Sequence, residues 1–158
     1  MRDLLHTYGP WALVTGASSG IGAEFSRQLA ARGFNLVLVA RRLERLNQLA
    51  RQMELQYSIQ VRPIQLNLSN LDYMPTLLGE ISSLEIGLLI NNAGFSIAGD
   101  FVNNSLEREL EMLHVNCRTP LALTHKIVPQ MIKRRKGGVI FVSSLTGLIP
   151  SPPWGHYA

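Results

Sequence analysis

At 158 residues the chain is long enough to bury a proper core as one domain, and its 46% hydrophobic and 16% charged residues exclude a disordered polyelectrolyte. The net charge of +4 is modest. Its one dense basic run, Lys133-Arg134-Arg135-Lys136, has no aromatic residues interleaved and reads as a solvated helix end, not a nucleic-acid surface. A single cysteine, Cys117, excludes an intrachain disulfide, and the four histidines show no metal-site spacing. With no apolar run long enough for a signal peptide or a membrane span, the sequence predicts a metal-free cytoplasmic protein.

Strand and helix patterns alternate along the chain without a linker or an internal boundary, so residues 1–158 read as one α/β unit. A mean hydropathy of +0.10 suits a parallel sheet covered on both faces. Ala12 to Thr15 is the first predicted strand. A helix follows in which Ile21, Phe25 and Leu29 share one face, with Gly33 as its C-cap. Asn35 to Ala40 is the second strand, Leu43, Leu46, Leu49 and Met53 place a helix over residues 42–56, and Ile59 to Leu66 is the third strand. A helix over residues 69–83 carries Leu71, Leu78 and Ile81, and Ile86 to Asn91 is the fourth strand. Two helical stretches, 105–115 and 118–135, precede the Gly137-Gly138 turn and a fifth strand, Val139 to Ser143. Right-handed crossovers predict a doubly wound Rossmann-type sheet of order 3-2-1-4-5.

The stretch Thr15-Gly16-Ala17-Ser18-Ser19-Gly20-Ile21-Gly22 lies between the first strand and the first long helix. Glycine there supplies positive φ and a bare backbone that a diphosphate can approach, with the helix N-terminus favouring negative charge. Its spacing is G-x-x-x-G-x-G, not the better-known G-x-G-x-x-G. Gly16, Ser18, Ser19, Gly20, Ile21 and Gly22 are therefore the candidates for a nucleotide loop. Arg41 and Arg42 follow the second strand about twenty residues on, where NAD sites place an acidic residue against the ribose. Here that position is Ala40. An arginine fork beside it pairs with a 2′-phosphate, so NADP is expected in preference to NAD, although both arginines could also open the next helix facing solvent.

Thr15 to Gly22, Asn91 to Gly94, Asn116, Ser143-Ser144 and Tyr157 together resemble the ordered motifs of the short-chain dehydrogenase/reductase family across nearly the whole chain. The resemblance implies an NAD(P)H-dependent oxidoreductase that reduces a ketone or oxidises a secondary alcohol. Tyr157 would be the general acid/base, Ser144 the hydroxyl that binds the substrate oxygen (Ser143 at worse spacing), and Asn116, at a helix irregularity, the holder of a water in the proton path. Asn67, where relatives carry aspartate, would accept from adenine beside Leu68, and Asn92, Ala93 and Gly94 would line the cofactor ribose. The Tyr8-Gly9-Pro10-Trp11-Ala12 approach is similar to that of ketoreductases of steroid or fatty-acyl substrates.

The family also implies a lysine four residues beyond the tyrosine to acidify its phenol, and the 158 residues stop one residue after Tyr157. Three readings stay open: an oxidoreductase represented by its cofactor half and inactive as given, a nucleotide-binding module without turnover, and a subunit completed by another chain. Beyond a small-molecule carbonyl or alcohol, the expected partner is a second copy. It would dock through the helix at 118–135 or through the fifth strand, an edge without charge, proline or bulge.

Overall fold

The computed structural model describes residues 4–149 and 154–157. Its centre is a five-stranded parallel sheet of order β3-β2-β1-β4-β5, the order predicted. The strands are β1 (Trp11–Thr15), β2 (Asn35–Ala40), β3 (Val61–Gln65), β4 (Ile86–Asn91) and β5 (Gly138–Phe141). The helices are α1 (Leu4–Tyr8), α2 (Gly20–Ala30), α3 (Leu43–Tyr57), α4 (Tyr73–Ile81), α5 (Leu106–Leu113) and α6 (Thr119–Arg134).

The continuous apolar runs of β1 and β4 are buried at every position, as strands covered on both faces must be. Alternate side chains serve opposite cores. Ala12 and Val14 pack with Leu36, Leu38, Leu88 and Ile90 against α2 and α3. Leu13 packs with Val37, Val39 and Leu89 against α4 and α6. Each fully buried leucine contributes about 1.5–3 kcal/mol, so a register slip of one residue would exchange the two cores and cannot be tolerated.

The expected apolar stripe of α2 needs correction. Ile21 is exposed, and the buried positions are Gly22, Ala23, Ser26, Leu29 and Ala30. Small residues let this helix lie close to the sheet, which frees Ile21 to face outward at its first turn. α4 starts four residues later than its predicted span, with Pro75 in its first turn, where a missing N–H costs nothing. Pro63 sits within β3, which an edge strand accommodates. The stretches expected at 105–115 and 118–135 run on as α5, a π-helical turn (His114–Arg118) and α6. β5 has one sheet neighbour among the described residues, and its Ile140 and Phe141 are exposed.

α1, which no sequence signal announced, closes the opposite end of the sheet. The Tyr8 ring lies over Gly138, and a Cβ on Gly87 would overlap the carbonyl oxygens of Tyr8 and Gly9. Glycine at position 87 is thus required by close approach of two backbones. Gly87→Ala is expected to cost roughly 1–3 kcal/mol, the range for overpacking, and to lower the thermal midpoint by about 2–4 °C per kcal/mol. Thermal unfolding followed by circular dichroism measures this, and an unchanged midpoint would mean that the Tyr8–Pro10 segment moves aside freely.

Candidate functional site

The strand order reverses between β1 and β4, and at the carboxyl ends of these two strands the chain leaves the sheet in opposite directions. Residues 15–19 depart toward α2 and residues 92–100 toward α5. One residue ties the two exits together. Thr15, 2% exposed, accepts at Oγ1 from the backbone N–H groups of Asn92 and Ala93, both at 3.0 Å, and donates to the Ile90 carbonyl at 3.3 Å. Asn92 reciprocates through Nδ2, donating to the carbonyls of Thr15 at 2.9 Å and Gly16 at 3.3 Å. The Asn92 side chain is therefore spent on the loop opposite. The role of Thr15 was missed from sequence, where a threonine ending a strand looks like ordinary β-propensity.

This tie explains the glycines. A Cβ on Gly16, at φ +66°, would stand 2.8 Å from Asn92 Nδ2 and 2.9 Å from Ala93 Cα, while one on Gly22 would overlap Asn92 Nδ2. Gly20 differs: its φ is +55°, and nothing lies within 4 Å of where a Cβ would be. It borders open space. The first turn of α2 carries no acidic side chain, and the side chain of its N-cap, Ser19, does not cap the helix N–H groups, so the positive end of the helix dipole is left uncompensated there.

A cleft of about 740 Å³ opens over this switch point, within the range of small-molecule and cofactor sites. It is lined by Gly16, Ser18, Ser19 and Ile21 from the first loop, by Arg41 and Arg42 after β2, and by Asn67 and Leu68 after β3. Asn92, Ala93 and Gly94 after β4, Asn116 in the π-helical turn, Ser144 after β5 and Tyr157 complete it. Gly20 opens on a neighbouring groove that shares Ser18 and Ser19, and Gly22 lies beneath Asn92. Phe95, Glu111 and Cys117 also line the cleft and were not singled out from sequence. The Arg108 guanidinium lies 5.1 Å over the Phe95 ring and pairs with Glu111, an i, i+3 charge pair visible in the sequence though its position was not.

Arg42 reaches back to the first loop, donating through Nη2 to Ser18 Oγ at 2.8 Å and Ser19 Oγ at 2.7 Å, and through Nε to Ser18 Oγ at 3.2 Å. Arg42 is exposed, and these bonds hold its guanidinium at the cleft rim. Asn67 turns its Oδ1 inward, where it accepts from the N–H and Oγ–H of Ser69 at 3.2 and 2.9 Å. The Leu68 side chain is buried while its carbonyl accepts from Thr119 Oγ1 at 3.2 Å. Asn116 stands at a helix irregularity, and its side chain is closed on Phe95, with Oδ1 accepting from the N–H at 3.1 Å and Nδ2 donating to the carbonyl at 2.8 Å. A Cβ on Gly94 would stand 3.1 Å from Asn116 Oδ1, so glycine there leaves room for this closure. Ser144 Oγ accepts from Thr146 Oγ1 at 2.8 Å and Thr146 N at 3.2 Å, capping a short 3-10 turn.

Behind the cleft wall, His114 meets Tyr73 edge to face at 6.4 Å. Burial, followed by the charge of Arg118, holds the His114 imidazole below its usual pKa, and burial outweighs the Thr119 hydrogen bond and Arg118 to push the Tyr73 phenol up. Both stay neutral near pH 7. Among the described residues no three His, Cys, Asp or Glu side chains cluster as a metal site would require, and no helix is long and apolar enough to cross a membrane.

Thr15→Val keeps the shape and removes the hydroxyl, leaving two half-buried N–H groups without their partner, at up to about 1–3 kcal/mol each. Thr15→Ser, which keeps the acceptor and loses one methyl, is expected to cost about 1 kcal/mol. Denaturant unfolding of both variants is the check, and a valine variant no less stable than the serine one would refute the tie.

The short chain dehydrogenase family profile matches residues 10–158. The very-long-chain 3-oxoacyl-CoA reductase-B of Danio rerio is 32% identical over 155 residues, covering 91% of this chain and 48% of that protein. The solved structure of a 7beta-hydroxysteroid dehydrogenase superposes with a TM-score of 0.93 at 32% identity, over 98% of this chain and 60% of its own. A short-chain dehydrogenase from Sphingobium yanoikuyae, solved with NADPH, gives 0.84 at 32%, over 94% and 59%. The chain thus spans about half the length of the curated relatives it matches. With its sheet order, its glycine loop and a match running from residue 10 to residue 158, the chain belongs to the short-chain dehydrogenase/reductase family.

Proposed function

We propose that residues 1–158 are the single NAD(P)-binding unit of an NADP-dependent oxidoreductase that interconverts a ketone and a secondary alcohol. The observation that carries this reading is the one cleft at the switch point, which gathers the glycine loop, both arginines and Asn116, Ser144 and Tyr157. Its fit to a dinucleotide rests on the open space beside Gly20, the uncompensated N-terminus of α2 and the guanidinium of Arg42 on the rim. Bound nicotinamide would supply the hydride acceptor or donor.

The chain's own residues would do the rest. First-loop N–H groups and the start of α2 hold a diphosphate, while Arg41 and Arg42 meet a 2′-phosphate where Ala40 offers no repelling carboxylate. Leu68 and Asn67 border the adenine end. Since Asn67 Oδ1 is already engaged by Ser69, its free capacity there is smaller than an aspartate's would be. Ser144, whose Oγ accepts from Thr146, donates its own O–H to the substrate oxygen, and the Tyr157 phenol gives that oxygen a proton or, as the phenolate, takes one away. With the Asn116 side chain closed on Phe95, a water in the proton path is left to the backbone that the π-helical turn exposes. The substrate reading draws on the relatives, named for a 3-oxoacyl thioester and a hydroxysteroid, both large apolar molecules with a ketone or secondary alcohol. Because the acidifying lysine is not among these residues, the 158 residues are expected to bind cofactor without turnover.

NADPH is expected to bind more tightly than NADH. Arg42→Ala, and separately Arg41→Ala, should lower NADPH affinity by roughly ten- to a hundredfold, corresponding to about 1.5–3 kcal/mol, with little change for NADH. Fluorescence titration with both cofactors tests this, and equal affinities in the parent chain would overturn the preference.

We further propose self-association, with β5 as the edge that a second copy covers. Ile140 and Phe141 are exposed on it, and Leu121 and Ile132 are exposed on α6. Sedimentation of the 158 residues is expected to show a dimer that Phe141→Lys weakens; a monomer at high concentration would refute it.

A further inference from the structure

The burial of α5 is inverted. Leu106, Leu110 and Leu113 are exposed, whereas Glu109, on the same helix, is 6% exposed and is the one buried acid among the described residues. A carboxylate in that setting is costly unless it is hydrogen-bonded and faced by a positive charge. Asn104 Nδ2 donates to its Oε1 at 2.8 Å. His156 Nε2 stands 3.4 Å from the same oxygen, with the two side chains 10% and 8% exposed. The imidazole is also wedged against Phe101, ring centroids 5.8 Å apart. Among the described residues, Arg108 is turned to Glu111 and Asp100 to Asn103. Among the described residues His156 Nε2 completes no hydrogen bond, so its 3.4 Å approach to Glu109 is a close polar contact.

The residue after His156 is Tyr157, in a turn closed by donation from Tyr157 N–H to the Trp154 carbonyl at 2.9 Å. From these observations we infer that Glu109 acts through His156 as a positioning residue, seating the Trp154–Tyr157 turn on α5 so that Tyr157 faces the cleft. With the turn docked, His156 Nε2 faces the buried Glu109 carboxyl group as a second polar neighbour beside Asn104. An undocked turn would leave that carboxylate with Asn104 alone. Docking of the turn and burial of Glu109 therefore favour each other. The inference rests on Tyr157 being the acid/base only for its catalytic meaning, since the docking itself is read without turnover.

The chain has two tryptophans, Trp11 within β1 at 9% exposure and Trp154 in the turn at 37%, so labelling with 5-fluorotryptophan gives one fluorine resonance for the core and one for the turn. In the parent chain the Trp154 resonance is expected to stand apart from that of free 5-fluorotryptophan. His156→Gln and Glu109→Gln should each shift it to the free position with Trp11 unchanged, and the double variant should move it no further. An unshifted Trp154 resonance in His156→Gln overturns the inference, and so do single effects that add in the double variant. Should Glu109→Gln disturb Trp11 as well, His156→Gln decides alone. Failure of Tyr157 as acid/base would appear elsewhere, as turnover surviving Tyr157→Phe in a chain that carries the lysine, and would leave these spectra unaltered.

Discussion

The cleft exists because Thr15 and Asn92 hold the ends of β1 and β4 together at the point where the sheet changes direction. A sheet that reverses its strand order leaves two loops departing to opposite faces, and nothing in the strand ladder beyond Thr15 obliges them to stay in register. The Thr15 hydroxyl supplies an acceptor for two half-buried N–H groups that would otherwise be without this partner, and Asn92 returns a donor to two carbonyls. With the Ile90 carbonyl, to which Thr15 donates, five backbone groups are satisfied by two side chains. The spacing between the loops then permits no Cβ at Gly16 or Gly22, so the glycine motif is in large part a consequence of this closure. Gly20, with open space where a Cβ would stand, is the one glycine of the motif that this closure does not account for.

That division changes how the loop is weighed as a binding element. Anion affinity at a helix start comes from unpaired N–H groups and from the absence of competing negative charge, and both conditions hold at the first turn of α2. Arg42 adds a full charge across the same opening while it is tethered to Ser18 and Ser19. A guanidinium already held in place loses less rotamer freedom on meeting a phosphate than a free one does. The same serines that shape the loop therefore pre-organise the arginine proposed to read the 2′-phosphate.

Much of the fold was legible because buried parallel strands are uninterrupted apolar runs, and β1, β2 and β4 have no other reading. Strand order followed from right-handed crossovers alone. Less legible were features that depend on contacts between distant residues. The expected Ile21-Phe25-Leu29 stripe failed because α2 presents its smallest residues to the sheet, and closeness of approach is not encoded in a hydrophobic period. The π-helical turn around Asn116 was anticipated through the family resemblance and not through periodicity, which breaks no more visibly there than at any polar helix junction. Asn67 and Asn92 were read as facing a ligand, yet Asn67 spends hydrogen-bonding capacity on its own loop and Asn92 on the loop opposite. An amide beside a turn has local partners within reach that composition does not reveal.

α5 poses the sharpest conflict between sequence and environment. A short helix written Leu-Glu-Arg-Glu-Leu-Glu-Met-Leu would ordinarily bury its leucines and solvate its acids, and here three leucines face outward while Glu109 faces in. Neither half of that inversion is favourable by itself. The exposed leucines lose the burial that drives folding, and a lone buried carboxylate is among the costliest groups in an interior. What accommodates the inward acid is the surface gathered around it, Asn104, Phe101 and His156. Local rules fail in this helix at the place where the chain returns to complete the cleft. That is where such failures belong when a sequence answers to a site as well as to a core.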